Sequence, residues 1–311
     1  MRIVFMGTPD FSVPVLERLI EEGHTVEAVV TQGDKPKGRG KEIQFPPVKT
    51  AALEHNIAVY QPVKVRDPEF VQVLKDINPD VMVVIAFGQI LSQEVLDIPK
   101  YGCINIHASL LPKFRGSAPI QWAIIEGESV TGVTTMYMDA GIDTGDMIEK
   151  IEVAIDKDET GGSLHDKLAV AGADIIISTL KKLEDGTAVR TPQEHEKSTY
   201  VKMLDKKLGK IDFSMDAEYI ERLIRGLNPW PSAYTTYNGK SLKIWKAQVE
   251  EGSHDAGTYG EIVQVEKDYI GVKTGKGILK VYELQLEGKK RMETEDFLRG
   301  YKICMGEVLG L

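Results

Sequence analysis

Residues 80–87, Asp-Val-Met-Val-Val-Ile-Ala-Phe, constrain the fold more than any other stretch of this chain. An unbroken apolar run of this length, rich in β-branched residues, reads as a strand covered on both faces. Residues 2–7, 25–32 and 103–109 are similar runs. Helix-like segments fall between them. Ser12 is placed to cap a helix with Pro14 in its first turn and Gly23 at its end, and Val15, Leu16, Leu19 and Ile20 form its apolar face. Further helices are expected over 47–55, from Asp67 onward, and over 91–96, with a short strand over 57–62. This alternation predicts an α/β fold, a doubly wound and mostly parallel sheet, Rossmann-like in outline. Ligands of such sheets bind outside the carboxyl ends of the strands.

The second half reads differently. A long helix is expected over 163–183, with Leu164, Leu168, Ala171, Ile175 and Leu180 near helical spacing. Residues 186–210 are polar. A linker over 189–208 is expected to separate a domain of residues 1–188 from one of residues 209–311. Asp216 is placed to cap a helix carrying Ile220, Leu223 and Ile224. Short strands follow, and Tyr237-Asn238-Gly239-Lys240 is a type I′ hairpin signal. About five short strands in roughly a hundred residues predict a small OB-like β-barrel. Trp230, between Pro229 and Pro231, and Trp245 are expected in its core.

Composition excludes several classes. A net charge of −9 argues against a general nucleic-acid binder. The acid is unevenly spread, because residues 206–311 carry 17 Lys and Arg against 16 Asp and Glu. The longest apolar runs are too short to span a bilayer. The N-terminal residues enter a strand at once with no signal-peptide pattern. Cys103 and Cys304 fit no metal spacing and read as reduced thiols of a cytoplasmic protein.

The chemistry concentrates in residues 103–116, Cys-Ile-Asn-Ile-His-Ala-Ser-Leu-Leu-Pro-Lys-Phe-Arg-Gly. In a strand, Asn105 and His107 leave the same face. Asp143, in the acidic loop 138–146, can supply the carboxylate that orients the imidazole. An amide and an imidazolium stabilise a developing oxyanion, and a His/Asp pair moves protons, so the trio suits acyl-type transfer to an amine without a Ser or Cys nucleophile. Asp139, Asp143 and Asp146 also leave a cation site open as a reading, though no further ligand pattern supports a metal. Gly7-Thr8-Pro9-Asp10 carries a proline where a dinucleotide fingerprint needs glycine, which disfavours a nicotinamide oxidoreductase.

Asn105-x-His107, Ser109-Leu110-Leu111-Pro112, Arg115-Gly116 and Asp143, in that order, resemble the signature of the folate-dependent formyltransferases. The likeness extends to the opening RIVFMGTPDF, the loop TQGDKPKGRGKE, and the blocks SAPIQWAI, AGIDTGDM and NPWPSAY, which are similar to the branch of that family acting on charged tRNA. It is specific through Ile155 and looser in the last hundred residues. Ala108 departs locally, where some relatives carry Gly.

The resemblance implies 10-formyltetrahydrofolate as formyl donor and the amino group of initiator methionyl-tRNA as acceptor, giving formylmethionyl-tRNA for translation initiation. It implies Asn105, His107 and Asp143 as catalytic residues and no metal. Ser109, Leu110, Leu111 and Pro112 would border the folate, with Phe87 and Leu91 in a second wall. Lys35, Lys37, Arg39 and Lys41 match a basic loop that reaches the tRNA acceptor end, Arg39 matching its key arginine. Lys206, Lys207 and Lys210 would add contacts to tRNA. A cytoplasmic monomer without membrane attachment is expected. Two alternatives stay open: a sister formyltransferase acting on an amino sugar nucleotide, against which the basic loop argues, and a non-enzymatic tRNA-binding protein, which would not need the trio.

Overall fold

The computed structural model describes residues 1–37, 42–252 and 257–311. The first part of the chain alternates as its apolar pattern dictates: β1 (Arg2–Gly7), α1 (Val13–Glu21), β2 (Thr25–Val30), β3 (Lys35–Lys37), β4 (Glu42–Gln44), α2 (Pro47–Glu54), β5 (Ala58–Tyr60), α3 (Pro68–Ile77), β6 (Val81–Ile85), α4 (Gln93–Leu96) and β7 (Cys103–His107). Then come β8 (Arg115–Gly116), α5 (Pro119–Ile125), β9 (Val130–Tyr137), β10 (Met147–Ala154), α6 (Gly161–Glu184) and β11 (Tyr200–Val201). The last part holds α7 (Ala217–Gly226), β12 (Ala233–Tyr237), β13 (Lys240–Glu250), β14 (Ile262–Val265), β15 (Ile270–Lys273), β16 (Ile278–Leu286), β17 (Met292–Glu293) and α8 (Thr294–Gly300).

Seven strands form one sheet in the order β10-β9-β7-β6-β1-β2-β5. The five from β7 to β5 run parallel, and β9 and β10 close that edge antiparallel. Every residue of β6 is buried, as its composition requires. Val4, Met6, Ala28, Val30, Met82 and Val84 pack with Val71, Leu74, Val95 and Leu96 of α3 and α4. Cys103 belongs to the same cluster, so the period of two sends Asn105 and His107 to that side of β7. Ile106 faces the other way, against Gly172 of α6, where an added Cβ would lie 3.3 Å from Ile106 Cγ2.

The chain divides into two compact units. The first comprises Met1–Gly116, Val130–Ala154 and His165–Val201, and the second Ser117–Ser129, Ile155–Leu164 and Lys202–Leu311. They interleave in sequence, unlike the contiguous division expected. The reason is local packing within the second unit. Ile125 of α5 shares an apolar cluster with Leu204, Leu223 and Leu227. Arg225 also donates to the carbonyl of Glu159, and Gly162 N–H to that of Asn228. The segment expected as a linker is bonded rather than free. Thr191 exchanges both backbone hydrogen bonds with Met147, and β11 pairs in parallel with β8.

In the second unit an antiparallel sheet runs β12-β13-β16-β15-β14, with β17 on β16. Asn238 and Gly239 have φ of 50° and 72°, the positive pair a type I′ turn requires. The final residues bridge the two edge strands. Ile262 N–H donates to Glu307 O and Leu309 N–H to Gly260 O on one side, and Gly310 N–H to Thr236 O on the other. Ile220 and Ile224 of α7 and Phe297 of α8 fill the interior with Leu242, Val272 and Val281.

Some local expectations change. Ser12 does not cap α1: it lies in a 3₁₀ turn, and its Oγ donates to Ile85 O at 2.9 Å. The Asp216 side chain makes no cap bond either. Trp230 is 55% exposed rather than in a core, and Trp245 is half-buried beneath Arg291, with Nε1 donating to Gln285.

Candidate active site

Strand β7 ends at the carboxyl side of the parallel strands, where ligands of such sheets bind. Asn105 pairs with Val84 of β6 on one side and Met136 of β9 on the other, and His107 pairs with Thr134. His107 is 6% exposed. Its Nε2 hydrogen-bonds Phe114 O at 2.9 Å, and its Nδ1 lies 3.6 Å from Asp143 Oδ2. Asn105 Nδ2 approaches Asp143 Oδ1 at 3.4 Å. Gly116 N–H donates to Asp143 Oδ2 at 2.8 Å. The carboxylate therefore sits between the amide and the imidazole, and a proton on each ring nitrogen would give both facing oxygens a donor.

Asp143 has a left-handed φ of 53°. The other two acids of its loop are engaged elsewhere. Asp139 Oδ1 accepts from Gly141 N–H and Thr144 Oγ1, and Asp146 pairs with Arg190. Among the described residues no group of three or more His, Cys, Asp or Glu is placed to hold a metal ion.

The loop after β7 is tied from within. Ser109 is fully buried and its Oγ donates to Lys113 O at 2.7 Å, while its carbonyl accepts from Thr134 Oγ1. Thr134 Oγ1 also accepts from Leu111 N–H, and Lys150 Nζ donates to Leu111 O. Burial holds the Lys150 ammonium below its usual pKa. Leu111 packs with Met136 and Met147, so Leu110 and Pro112 are the partly exposed side chains of the four. Phe87 and Leu91 are buried in the sheet's core cluster. Between them Ile90 is 76% exposed.

Residues 191–201 supply further groups that sequence reasoning missed. Gln193 is buried and contacts both the Asp143 loop and Arg115, itself only 1% exposed. Thr199 accepts Phe114 N–H on Oγ1 and Arg115 N–H on its carbonyl. The Arg115-Gly116 pair was the available signal. The polarity of 186–210 hid its partner, because a buried polar side chain leaves no periodic trace in sequence.

The basic residues are spread more widely. Lys35 is exposed on the β3–β4 hairpin, in which the backbone of Lys37 lies opposite that of Glu42. Arg39 and Lys41 lie outside the described residues. In the second unit Lys206, Lys207 and Lys210 are exposed. No helix among the described residues is long and apolar enough to cross a membrane.

A family model described as formyl transferase matches residues 1–180, and one described as its C-terminal domain matches residues 203–302. The chain belongs to the formyl transferase family. Formyl transferases similar to it along their whole length include the methionyl-tRNA formyltransferase of Agathobacter rectalis, 57% identical over 311 residues, and that of Clostridioides difficile, 54% identical over 312 residues. The Agathobacter alignment covers 100% of each chain, as does the Clostridioides one. Among solved formyl transferases the fold matches WlaRD, a sugar 3N-formyl transferase, with a TM-score of 0.67 and 21% identity over 93% of this chain and 99% of that one. The first match spans the seven-stranded, mostly parallel sheet, and the second spans most of the antiparallel sheet that follows.

Proposed function

We propose that this chain transfers the formyl group of 10-formyltetrahydrofolate to the methionine amino group of initiator methionyl-tRNA; relatives similar to it over their whole length are named methionyl-tRNA formyltransferase. The observation that carries the reading is Asp143 seated between Asn105 Nδ2 and His107 Nδ1 at the carboxyl end of β7. The free amine attacks the formyl carbon. A new C–N bond forms, the bond from that carbon to the folate nitrogen breaks, and the proton lost by the amine ends on the departing nitrogen.

The residues of this chain serve that exchange electrostatically. Asn105 has one N–H toward Asp143 and a second left to donate to the oxyanion. His107 Nδ1 faces the same space, because Nε2 is held by Phe114 O. Donors of this kind are each worth about 10²–10³ in rate. Asp143 balances the charge on His107 and stands ready to accept the amine proton.

In this reading the folate lies against the loops after β6 and β7; that these strands are neighbours supports it. Ile90, Leu110 and Pro112 offer apolar surface there, backed by the buried Phe87, Leu91, Ser109 and Leu111. Lys35, Lys37, Arg39 and Lys41 serve as contacts to the tRNA acceptor end, and Lys206, Lys207 and Lys210 as further phosphate contacts.

A parallel assay tests the proposal. The purified protein is incubated with formyl-folate and either charged initiator tRNA or an amino sugar nucleotide. Formylation of the tRNA is expected, and formylation of the sugar alone would overturn the reading.

A further inference from the structure

We infer that Gln193 is a positioning residue for Asp143, acting through the backbone of the acidic loop; the inference rests on the catalytic role proposed for Asp143. All the hydrogen-bonding capacity of this buried amide is used. Nε2 donates to Asp143 O at 2.9 Å and to Gly145 O at 2.7 Å. Oε1 accepts from Arg115 Nε at 3.0 Å and Nη2 at 2.7 Å. The partners fix the amide's orientation, because carbonyls need donors and a guanidinium needs an acceptor.

Each end of this bridge bears on the same carboxylate. On the loop side, Gln193 holds the carbonyl of Asp143 itself and that of Gly145, two residues on. An added Cβ on Gly145 would lie 1.8 Å from Tyr137 O, so the loop runs hard against β9 here and has one way to lie. On the other side, Arg115 is adjacent to Gly116, whose N–H holds Asp143 Oδ2. Arg115 is also held by Tyr200 Oη at 3.0 Å and by His195 Nδ1 at 3.3 Å. Segment 193–200 thus holds Asp143 directly at its main chain, and holds Arg115, the neighbour of the glycine that donates to its carboxylate. Asp143 adopts a left-handed backbone, which costs energy for a non-glycine residue and persists only when its surroundings hold it.

Gln193→Glu separates this role from bulk structure. The carboxylate keeps the shape and still accepts from Arg115, but it turns an oxygen toward the two loop carbonyls. The full-length protein, Gln193→Glu, Asp143→Ala and the double variant are compared by steady-state kinetics on formyl-folate and charged tRNA, with single-turnover rates for the slow ones. The expected result for Gln193→Glu is kcat lower by about ten- to a hundredfold, with KM for folate unchanged and Tm within about 4 °C of the parent. In the Asp143→Ala background the same change should have an effect within about twofold, because the group it positions is gone.

A folded Gln193→Glu with parental kcat overturns the inference. So does an equal loss with and without Asp143. If Gln193→Glu does not fold, Gln193→Met, which keeps the side-chain length, carries the same comparison. If neither folds, Gln193 holds the fold and not the carboxylate, and the inference fails. Asp143→Ala turning over like the parent would instead overturn the catalytic reading of Asp143, and a parent inactive on charged tRNA would overturn the proposed function.

Discussion

Gly116 donates its backbone N–H to Oδ2 of Asp143 at 2.8 Å from a residue whose own backbone is pinned by strand pairing with Val201. The position leaves no room for a side chain. Its φ is +98°, and a Cβ would stand 2.6 Å from Val201 O. Gly116→Ala should therefore lose about 1–3 kcal/mol of stability and reduce turnover as well. Thermal unfolding and kcat measured together check this, and an unchanged pair of values would contradict it.

His107→Ala and Asn105→Ala should each lower turnover by ~10² or more. Both chains should fold, because the bonds lost lie at the strand end and not within the sheet's apolar layer. Circular dichroism with steady-state kinetics decides the matter; a folded variant of near-normal turnover removes that residue from the chemistry.

Asp143→Ala and His107→Ala should be non-additive, since the carboxylate acts beside the ring at 3.6 Å. A chelator should leave the rate untouched. Loss of activity on chelation, with recovery on adding a divalent ion, would reinstate a cation in the acidic loop.

Arg39→Ala should impair the use of charged tRNA while leaving folate binding intact. If Arg39 meets a phosphate, the slope of log affinity against log salt should fall by about one. Rates across a salt series test this, and parental rates throughout would reduce the loop to an ordinary surface turn.

The two thiols should separate cleanly. Burial pushes the Cys103 thiol up to about 12, whereas Cys304 is exposed. Because the thiolate is the reactive form, a thiol reagent near pH 8 should modify Cys304 alone in the native protein and both after unfolding. Rapid native labelling of two thiols would show that the sheet around Cys103 opens readily.

The sheet, and the meeting of Asn105, His107 and Asp143 at the end of β7, were in plain view in the sequence. Continuous apolar runs such as Val81–Ile85 have one comfortable structure, and Asn238-Gly239 has one comfortable turn. What escaped was the polar interior. Arg115 and Gln193 are buried through each other, and each looks like surface until its partner is known. Ser12 had the chemistry of a cap but spends its hydroxyl on Ile85, a tertiary demand that no local rule registers. Trp230 looked like core because it is large and flanked by prolines, yet it stands in the turn after α7, largely exposed.

The interleaving of the two units has a consequence during synthesis. Ile125 of α5 emerges well before Leu204, Leu223 and Leu227, the residues that cover it. Its apolar side must stay bare while the rest of the sheet is being made and folded. Nascent chains of this protein thus carry an uncovered hydrophobic helix until Leu227 is made, about a third of their translation, and such surface is the kind that recruits chaperones.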